Sequence, residues 1–516
     1  MRRFDLTHLW KWIAWLSLAW LLIACRAAPG GTDTPGATAI PSATARPSST
    51  PPPSASPTER PTASPSPTLP PSPTPTPLPR RPQYALQALF DYNQHTLEVS
   101  QAVTYTNRLT TTLTDLLLVV EANRWPGAFQ IHALNWADGA PVQGYTFAAH
   151  RLTIPLALPL PPGQSIGLSL AYTLNLPLIP PETARPQIFG YSERQANLVD
   201  WYPHIPPYRR GWLAHDASYF GEYQVYELAD FVIDLRLQNP PEGLILAGSA
   251  LPQSTAAGFH YVAAAARSFS LSASPQYQVE SSAAALPDGQ NVSVTHYFFP
   301  FTSPMAQAVL TNTIQAVELY SRLFAPYPHS SLSVVQADFL DGMEYDGLFF
   351  LSRGFYNTYN GRPDDYLISI AAHETAHQWW YALIGSDQAL DPWLDEALST
   401  YSEWLFYENF YPSLLEGWWA KRVEFYKPEG QLGRAVYDYP GFVPYRDAVY
   451  LRGAQFLRQL RASLGDEAFL AFLKDYARRQ AGQLATRQDF FNILEAHTSP
   501  EVNQQVMALI SEYFIP

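Results

Sequence analysis

His373-Glu374-Thr375-Ala376-His377 sets two imidazoles four residues apart, with a carboxylate directly after the first. On a helix, positions i and i+4 share a face. Both rings can then point at one cation, while Glu374 reaches a water at that cation. This is the equipment of metal-assisted hydrolysis, with Glu374 as general base. Tyr366–Gly385 is apolar nearly all round and Glu374 is its one charged residue. The spacing therefore predicts a buried helix that ends at Gly385 in the C′ position. A buried carboxylate between two histidines needs a partner, and a metal supplies one. A hydrogen-bonded histidine pair on a core helix would also fit the same five residues.

A catalytic zinc needs a third protein ligand and one open position. Asp391-Pro392 reads as an N-cap followed by proline at the first helical position, so a second helix begins there. It carries Trp393-Leu394-Asp395-Glu396-Ala397, and eighteen residues separate His377 from Glu396. The metzincin arrangement needs a glycine at 380 and a histidine at 383, where this chain has Trp380 and Leu383, and is excluded.

The combination is similar to the aminopeptidase N family of gluzincin zinc peptidases, whose second helix typically reads W-L-N-E-G. Thermolysin-like enzymes use one more residue of spacing, which would fall on Ala397. Asp341-Gly342-Met343-Glu344-Tyr345 resembles the G-A-M-E-N or G-G-M-E-Y signature, and Tyr450-Leu451-Arg452-Gly453 resembles the downstream Y-x-K-G. The resemblance implies one Zn²⁺ on His373, His377 and Glu396, with Glu374 as base and Tyr450 as hydrogen-bond donor to the oxyanion. It also implies that Glu344 binds the free α-amine of a peptide on a strand edge, with Gly342 and Met343 part of the same substrate-binding segment. Glu403, one heptad beyond Glu396, suits either a role orienting a ligand or a solvated helix face. Asp341, Tyr345 and Arg452 depart from the family pattern. The family's acidic F-P-x-x-D-E-P element has no clear counterpart, Trp201-Tyr202-Pro203-His204 standing in that region without carboxylates. With 63 residues after Gly453, the expectation is a form lacking the family's large C-terminal helical domain.

The elements that must position these residues fall into two sets. From Tyr84 to Gln276 the pattern is strand-like, as in Thr112–Val120, Phe231–Leu237 and Tyr261–Leu271, with Pro and Gly clusters between. Beyond Gly289 helical periodicity takes over, with candidates at Met305–Phe324, Tyr366–Ile384, Pro392–Phe410, Ala448–Leu464, Glu467–Arg479 and Arg487–His497. Leu332–Leu351, between the first two helices, reads as strands. The expected class is α+β: a β-rich domain over 84–285, then a thermolysin-like zinc peptidase domain of mixed sheet and helices over 286–516.

Upstream, Arg2, Arg3 and Lys11 precede an apolar run from Trp12 to Ala24, the layout of a secretory signal. Leu22-Ile23-Ala24-Cys25 resembles a bacterial lipobox, and Cys25 is the only cysteine of the 516 residues. It is the expected lipidation site, giving a signal peptide over 1–25, a membrane anchor and an extracytoplasmic address. Eighteen of the 48 prolines fall between Arg26 and Pro82, in a stretch with no aromatic residue, so 26–83 reads as an extended tether. One cysteine excludes internal disulfides and any zinc site with two thiolates. A net charge of −13 without basic blocks argues against nucleic acid as a partner. The functional expectation is a tethered zinc aminopeptidase acting on peptides with a free N-terminus. The alternatives are a zinc endopeptidase, or a peptidase-fold binding lipoprotein without turnover.

Overall fold

The computed structural model describes residues 81–180, 187–340 and 342–514, which lie in one compact unit. The expectations for the leader, Cys25 and nearly all of the tether lie outside the described residues. Arg81–Gln83, counted with the tether, already belong to the fold: Arg81 pairs with Asp230, and Gln83 opens the first strand.

Gln83–Asp91 and Thr96–Thr106 alternate buried and exposed side chains, the signature of a sheet with one face on a core. They sit inside a seven-stranded sheet, Gln83–Asp91 pairing parallel to Ala229–Gln238 and antiparallel to Thr96–Thr106. Sheets of three and four strands complete the β half. Tyr261–Leu271, expected as one strand, is two. Gly258–Ala266 lies in the seven-stranded sheet and Leu271–Ser274 in the four-stranded one. The chain leaves the first sheet at Arg267, whose side chain turns inward to bind carbonyls of the other half.

The second half is built on a five-stranded mixed sheet in the order Gln278–Ala285, Asn291–Phe298, Ser331–Ala337, Leu348–Ser352, Met343–Tyr345. Gln278–Ala285 and Asn291–Phe298 form one hairpin, so the expected boundary at 285/286 would split a pair of hydrogen-bonded strands. By pairing, the second half begins at about Gln278. Ser331–Ala337 is buried at every residue because helices and the β half cover both faces of the sheet, which removes any polar alternation. Helix Ser303–Leu323 makes the crossover into it.

The helices at 303–323, 393–410, 466–480 and 487–496 lie within a few residues of their expected limits. The helix carrying the histidines is shorter than expected. It runs Tyr366–His377, capped by Asp365 accepting from the Leu367 N–H, and continues as a π-helical turn over Gln378–Leu383. Gly385 is not a left-handed C′ residue. It lies in a two-residue strand against Leu484–Ala485, where a Cβ would come within 2.5 Å of the Arg267 guanidinium. The Ala448–Leu464 candidate is likewise a π-helical turn, Asp447–Arg452, leading into helix Gly453–Leu464. Helices Leu415–Arg422 and Pro500–Tyr513 add to those expected. The architecture is α+β, a β-rich half followed by a half of mixed sheet and helices.

Candidate metal centre and cleft

The histidine helix is apolar and buried at every residue after Tyr366, so His373 and His377 are held by packing on all sides. Helix Trp393–Phe410 lies against it and brings in Glu396 from its first turn. His373 Nε2, His377 Nε2 and Glu396 Oε2 converge on one point. The nitrogens are 3.1 Å apart, and the carboxylate oxygen is 3.3 Å from the first and 3.5 Å from the second. Ligands at the corners of a tetrahedron with bonds of about 2.0–2.1 Å stand about 3.3 Å apart. The donor set and its spacing therefore fit Zn²⁺. A single cation between them would match the lone pairs of both imidazole nitrogens and the carboxylate at once.

The outer nitrogen of each ring is also held. His373 Nδ1 lies 3.0 Å from Glu403 Oε1, and Arg422 donates to both Glu403 oxygens at 2.9 and 2.8 Å. Glu403 is fully buried, which removes the expected alternative of a solvated helix face and leaves it holding the His373 ring. His377 Nδ1 lies 2.5 Å from Asp395 Oδ1, and Gln388 donates to the other Asp395 oxygen at 2.5 Å. Burial pulls the His377 imidazole down, but Glu344 and Asp395 carry it well above its usual value. Burial pushes the Glu396 carboxyl up, yet hydrogen bonds from His373 and His377 hold it far below the carboxylate range.

Glu344 lies on the edge strand Met343–Tyr345, buried, with Oε1 3.9 Å from His377 Nδ1 and 3.5 Å from Gln388 Nε2. Gln378, the first residue of the π-helical turn, fixes that strand. Its amide donates to the Tyr345 carbonyl at 3.0 Å and accepts from the Gly347 N–H at 2.9 Å. Gly342 packs against Glu374: a Cβ there would stand 2.3 Å from its Oε1. Gly342 and the half-buried Met343 line the same cavity as Glu344 and Tyr450. The Tyr450 hydroxyl donates to Glu396 Oε1 at 2.5 Å, and its ring stacks on His373 with centroids 6.0 Å apart. Burial, then Glu396, raises the Tyr450 phenol well above its usual value, so it remains a donor. Arg452 faces away, over the Tyr513 ring.

Gly342, Met343, Glu344 and Tyr450 open into a cavity of about 890 Å³ between the halves. Its β-half wall supplies groups that sequence reasoning missed. Trp201-Tyr202-Pro203-His204 is buried structure, Trp201 donating to the Phe269 carbonyl. The carboxylates expected to be absent from that region come from beside and beyond it, as Asp200 and Glu222. One acceptor atom from each of Glu222, Glu344 and Glu396 falls within 4.8 Å of the others. Burial and the neighbouring carboxylates hold the Glu222 carboxyl well above its usual value, as they do that of Glu344, which His377 partly opposes. Glu222 sits in the long strandless connection from Pro206 to Leu228. Length was the one signal there, since unstructured connections of this size are commonly functional.

No protein-family model matches the chain. Part of it is 27% identical over 202 residues to aminopeptidase M1-D of Oryza sativa subsp. japonica, 35% of this chain and 23% of that protein. Another match, 29% identical over 161 residues, is to probable aminopeptidase 2 of Sulfurisphaera tokodaii, 28% of this chain and 20% of that protein. The matched stretch thus spans about a quarter or less of these curated relatives. In fold the chain is similar to the M1 zinc metallopeptidase of Deinococcus radiodurans, with a TM-score of 0.63 and 19% identity over 85% of this chain and 95% of that one. A mutant of that protein has been solved with a Tyr-Ser-Ala substrate (TM-score 0.61, 18% identity, 85% of this chain and 96% of that one). The shared fold is that of a two-domain M1 peptidase.

Proposed function

We propose that the chain is a zinc-dependent aminopeptidase of the aminopeptidase N, or M1, family, which removes N-terminal residues from peptides. The observation that carries this reading is the convergence of His373, His377 and Glu396 at tetrahedral spacing, with Glu344 close beside them. An ion on those three ligands supplies Lewis-acid chemistry and makes water acidic enough to attack at neutral pH.

The protein's own groups do the rest. Glu374, held between Gly342 and the histidine helix, accepts the proton of the attacking water and passes it to the leaving amine. Tyr450 is a neutral donor beside the ligand carboxylate, and turning its hydroxyl from Glu396 towards the substrate oxygen stabilises charge that develops there. Glu344, short of cations and crowded by carboxylates, takes up the α-amine, so only the first peptide bond reaches the metal ligands. Glu403 with Arg422, and Asp395 with Gln388, keep both imidazoles aimed at the metal.

The purified protein is expected to bind one zinc ion, to release N-terminal residues from unblocked peptides, and to spare N-acetylated ones. Chelators should abolish turnover. Glu374→Gln should lower kcat by roughly 10²–10⁴ with zinc content unchanged. Full activity in that variant, or cleavage of blocked peptides at equal rates, would sink the reading.

The leader and Cys25 support a lipid-anchored protein acting outside the cytoplasm; this support is the sequence pattern alone. Labelled fatty acid should enter the full-length chain in a bacterial host and not the Cys25→Ser variant. Label in both would refute the anchor.

A further inference from the structure

The cavity has a charged group that the chemistry above does not use. Four carboxylates line it, from Glu121, Asp200, Glu222 and Glu344, and the one cation among its described lining residues is Arg124. Arg124 is committed to Glu121 and to the Tyr223 hydroxyl, and Glu121 also accepts from Gln224 at 2.5 Å. Glu222 and Glu344 stand beside the metal ligands. Asp200 is left. Its Oδ1 accepts the Tyr226 hydroxyl, and its Oδ2 has no protein partner among the described residues.

Three features make Asp200 more than an incidental surface acid. Its backbone is left-handed, with φ +50°, a conformation that few residues adopt and that aims the side chain into the cavity wall. Burial pushes its carboxyl up to about 7, the Tyr226 hydroxyl opposing, as befits an acid with no cation in contact. Its surroundings are aromatic. Tyr226, Tyr345 and Tyr381 all line the cavity; burial followed by Asp200 raises the Tyr345 phenol, and burial, opposed by the Ser268 hydroxyl and joined by Asp346 and then Asp200, raises that of Tyr381, with Glu344 a further contributor to both. Asp200 and Glu344 thus line one cavity together with these rings. A first residue whose amine is held at Glu344 has Asp200 on the wall of the same cavity for its side chain to meet. A carboxylate among aromatic rings is a receptor for a guanidinium or ammonium group, which gains an ion pair and cation–π contact together.

We propose that Asp200, set among Tyr226, Tyr345 and Tyr381, determines specificity for the first side chain, and that the pocket takes arginine or lysine ahead of neutral side chains. The inference rests on the aminopeptidase reading. It deepens that reading by naming the substrate class.

The test compares kcat/KM on zinc-loaded protein for arginyl, citrullinyl and norleucyl arylamides, since citrulline matches arginine in shape without its charge. Arginine should lead citrulline by roughly 10–100-fold, the value of one charge-assisted contact. Asp200→Asn should bring that ratio to within about threefold of unity and leave norleucine within about threefold of the parent. Asparagine tolerates left-handed backbone, so this variant is expected to fold. Tyr226→Phe keeps the charge and should keep the ratio. Equal rates for arginine and citrulline in the parent, or an unchanged ratio in Asp200→Asn, overturn the proposal while leaving the aminopeptidase reading standing. Cleavage of none of the three overturns that reading instead. The pocket is then judged by thermal stabilisation with free L-arginine against L-citrulline, where equal shifts, or shifts insensitive to Asp200→Asn, count against it.

Discussion

Gly342 touches the base so closely that its lack of a side chain is itself part of the site. Its backbone is outside the left-handed region, so an alanine there is not strained; the added carbon would simply meet Glu374 Oε1 at 2.3 Å. Gly342→Ala should therefore lower kcat at least about tenfold by displacing the carboxylate that moves the proton. Zinc stoichiometry and the far-UV circular dichroism spectrum should stay as in the parent. Unchanged kcat would mean that Glu374 works from a position other than the one seen. At this scale the His373–His377–Glu396 cluster was legible because helical spacing ties His373 to His377 and the resemblance to the aminopeptidase N family picks out Glu396 on the second helix. Asp200 and Glu222 were not, since each sits in irregular chain where no period relates one residue to another. Their role appears only when folding brings residues more than a hundred positions apart to one cavity.

Between elements, the decisive contact joins two helices. Glu403 and Arg422 are both buried, and they meet in a two-pronged ion pair behind His373. Arg422→Met removes the cation and leaves the carboxylate stranded, a change that costs about 3–5 kcal/mol when a buried pair is broken. We expect a clear fall in Tm by calorimetry, together with a 10–100-fold loss of zinc affinity in competition with a chelator, because His373 loses its fixed orientation. A fall in Tm with unaltered zinc affinity would show that the pair is structural alone. The helix that carries Arg422 gives no signal in the sequence: Leu415–Arg422 spans eight residues and buries only the adjacent Trp418 and Trp419 with Arg422, leaving too few turns for a period to emerge. The opposite error occurred at Tyr366–Gly385. There the apolar pattern continues smoothly while the backbone changes from α- to π-helical after His377, a shift in hydrogen bonding that hydropathy does not record.

Across the whole molecule, Arg267 is one of several side chains that join the halves. The buried Arg267 guanidinium donates to the carbonyls of Tyr226 at 2.9 Å, Ala382 at 2.9 Å and Gln483 at 2.8 Å, while its backbone N–H donates to Asp346 at 2.7 Å. Burial lowers the guanidinium to about 10, so it stays charged at any working pH. Arg267→Met would orphan several buried carbonyls at once. The expected result is a lower Tm and a scanning-calorimetry trace that broadens or divides, against one sharp transition in the parent; a variant as stable and as cooperative as the parent would refute the role. That the chain has a β-rich half and a helical half could be read from composition and periodicity. The joint could not, because an arginine in a strand-like run reads as solvated until its carbonyl partners, up to 216 residues away, are known. The joint also bears on when hydrolysis becomes possible. The β half is synthesised first and carries Asp200 and Glu222, whereas the metal ligands and Glu344 follow on the later half. On the aminopeptidase reading, a chain leaving the ribosome lacks a complete substrate pocket until the last large segment has docked, and an enzyme assembled in that order could not attack neighbouring nascent chains while it is itself unfinished.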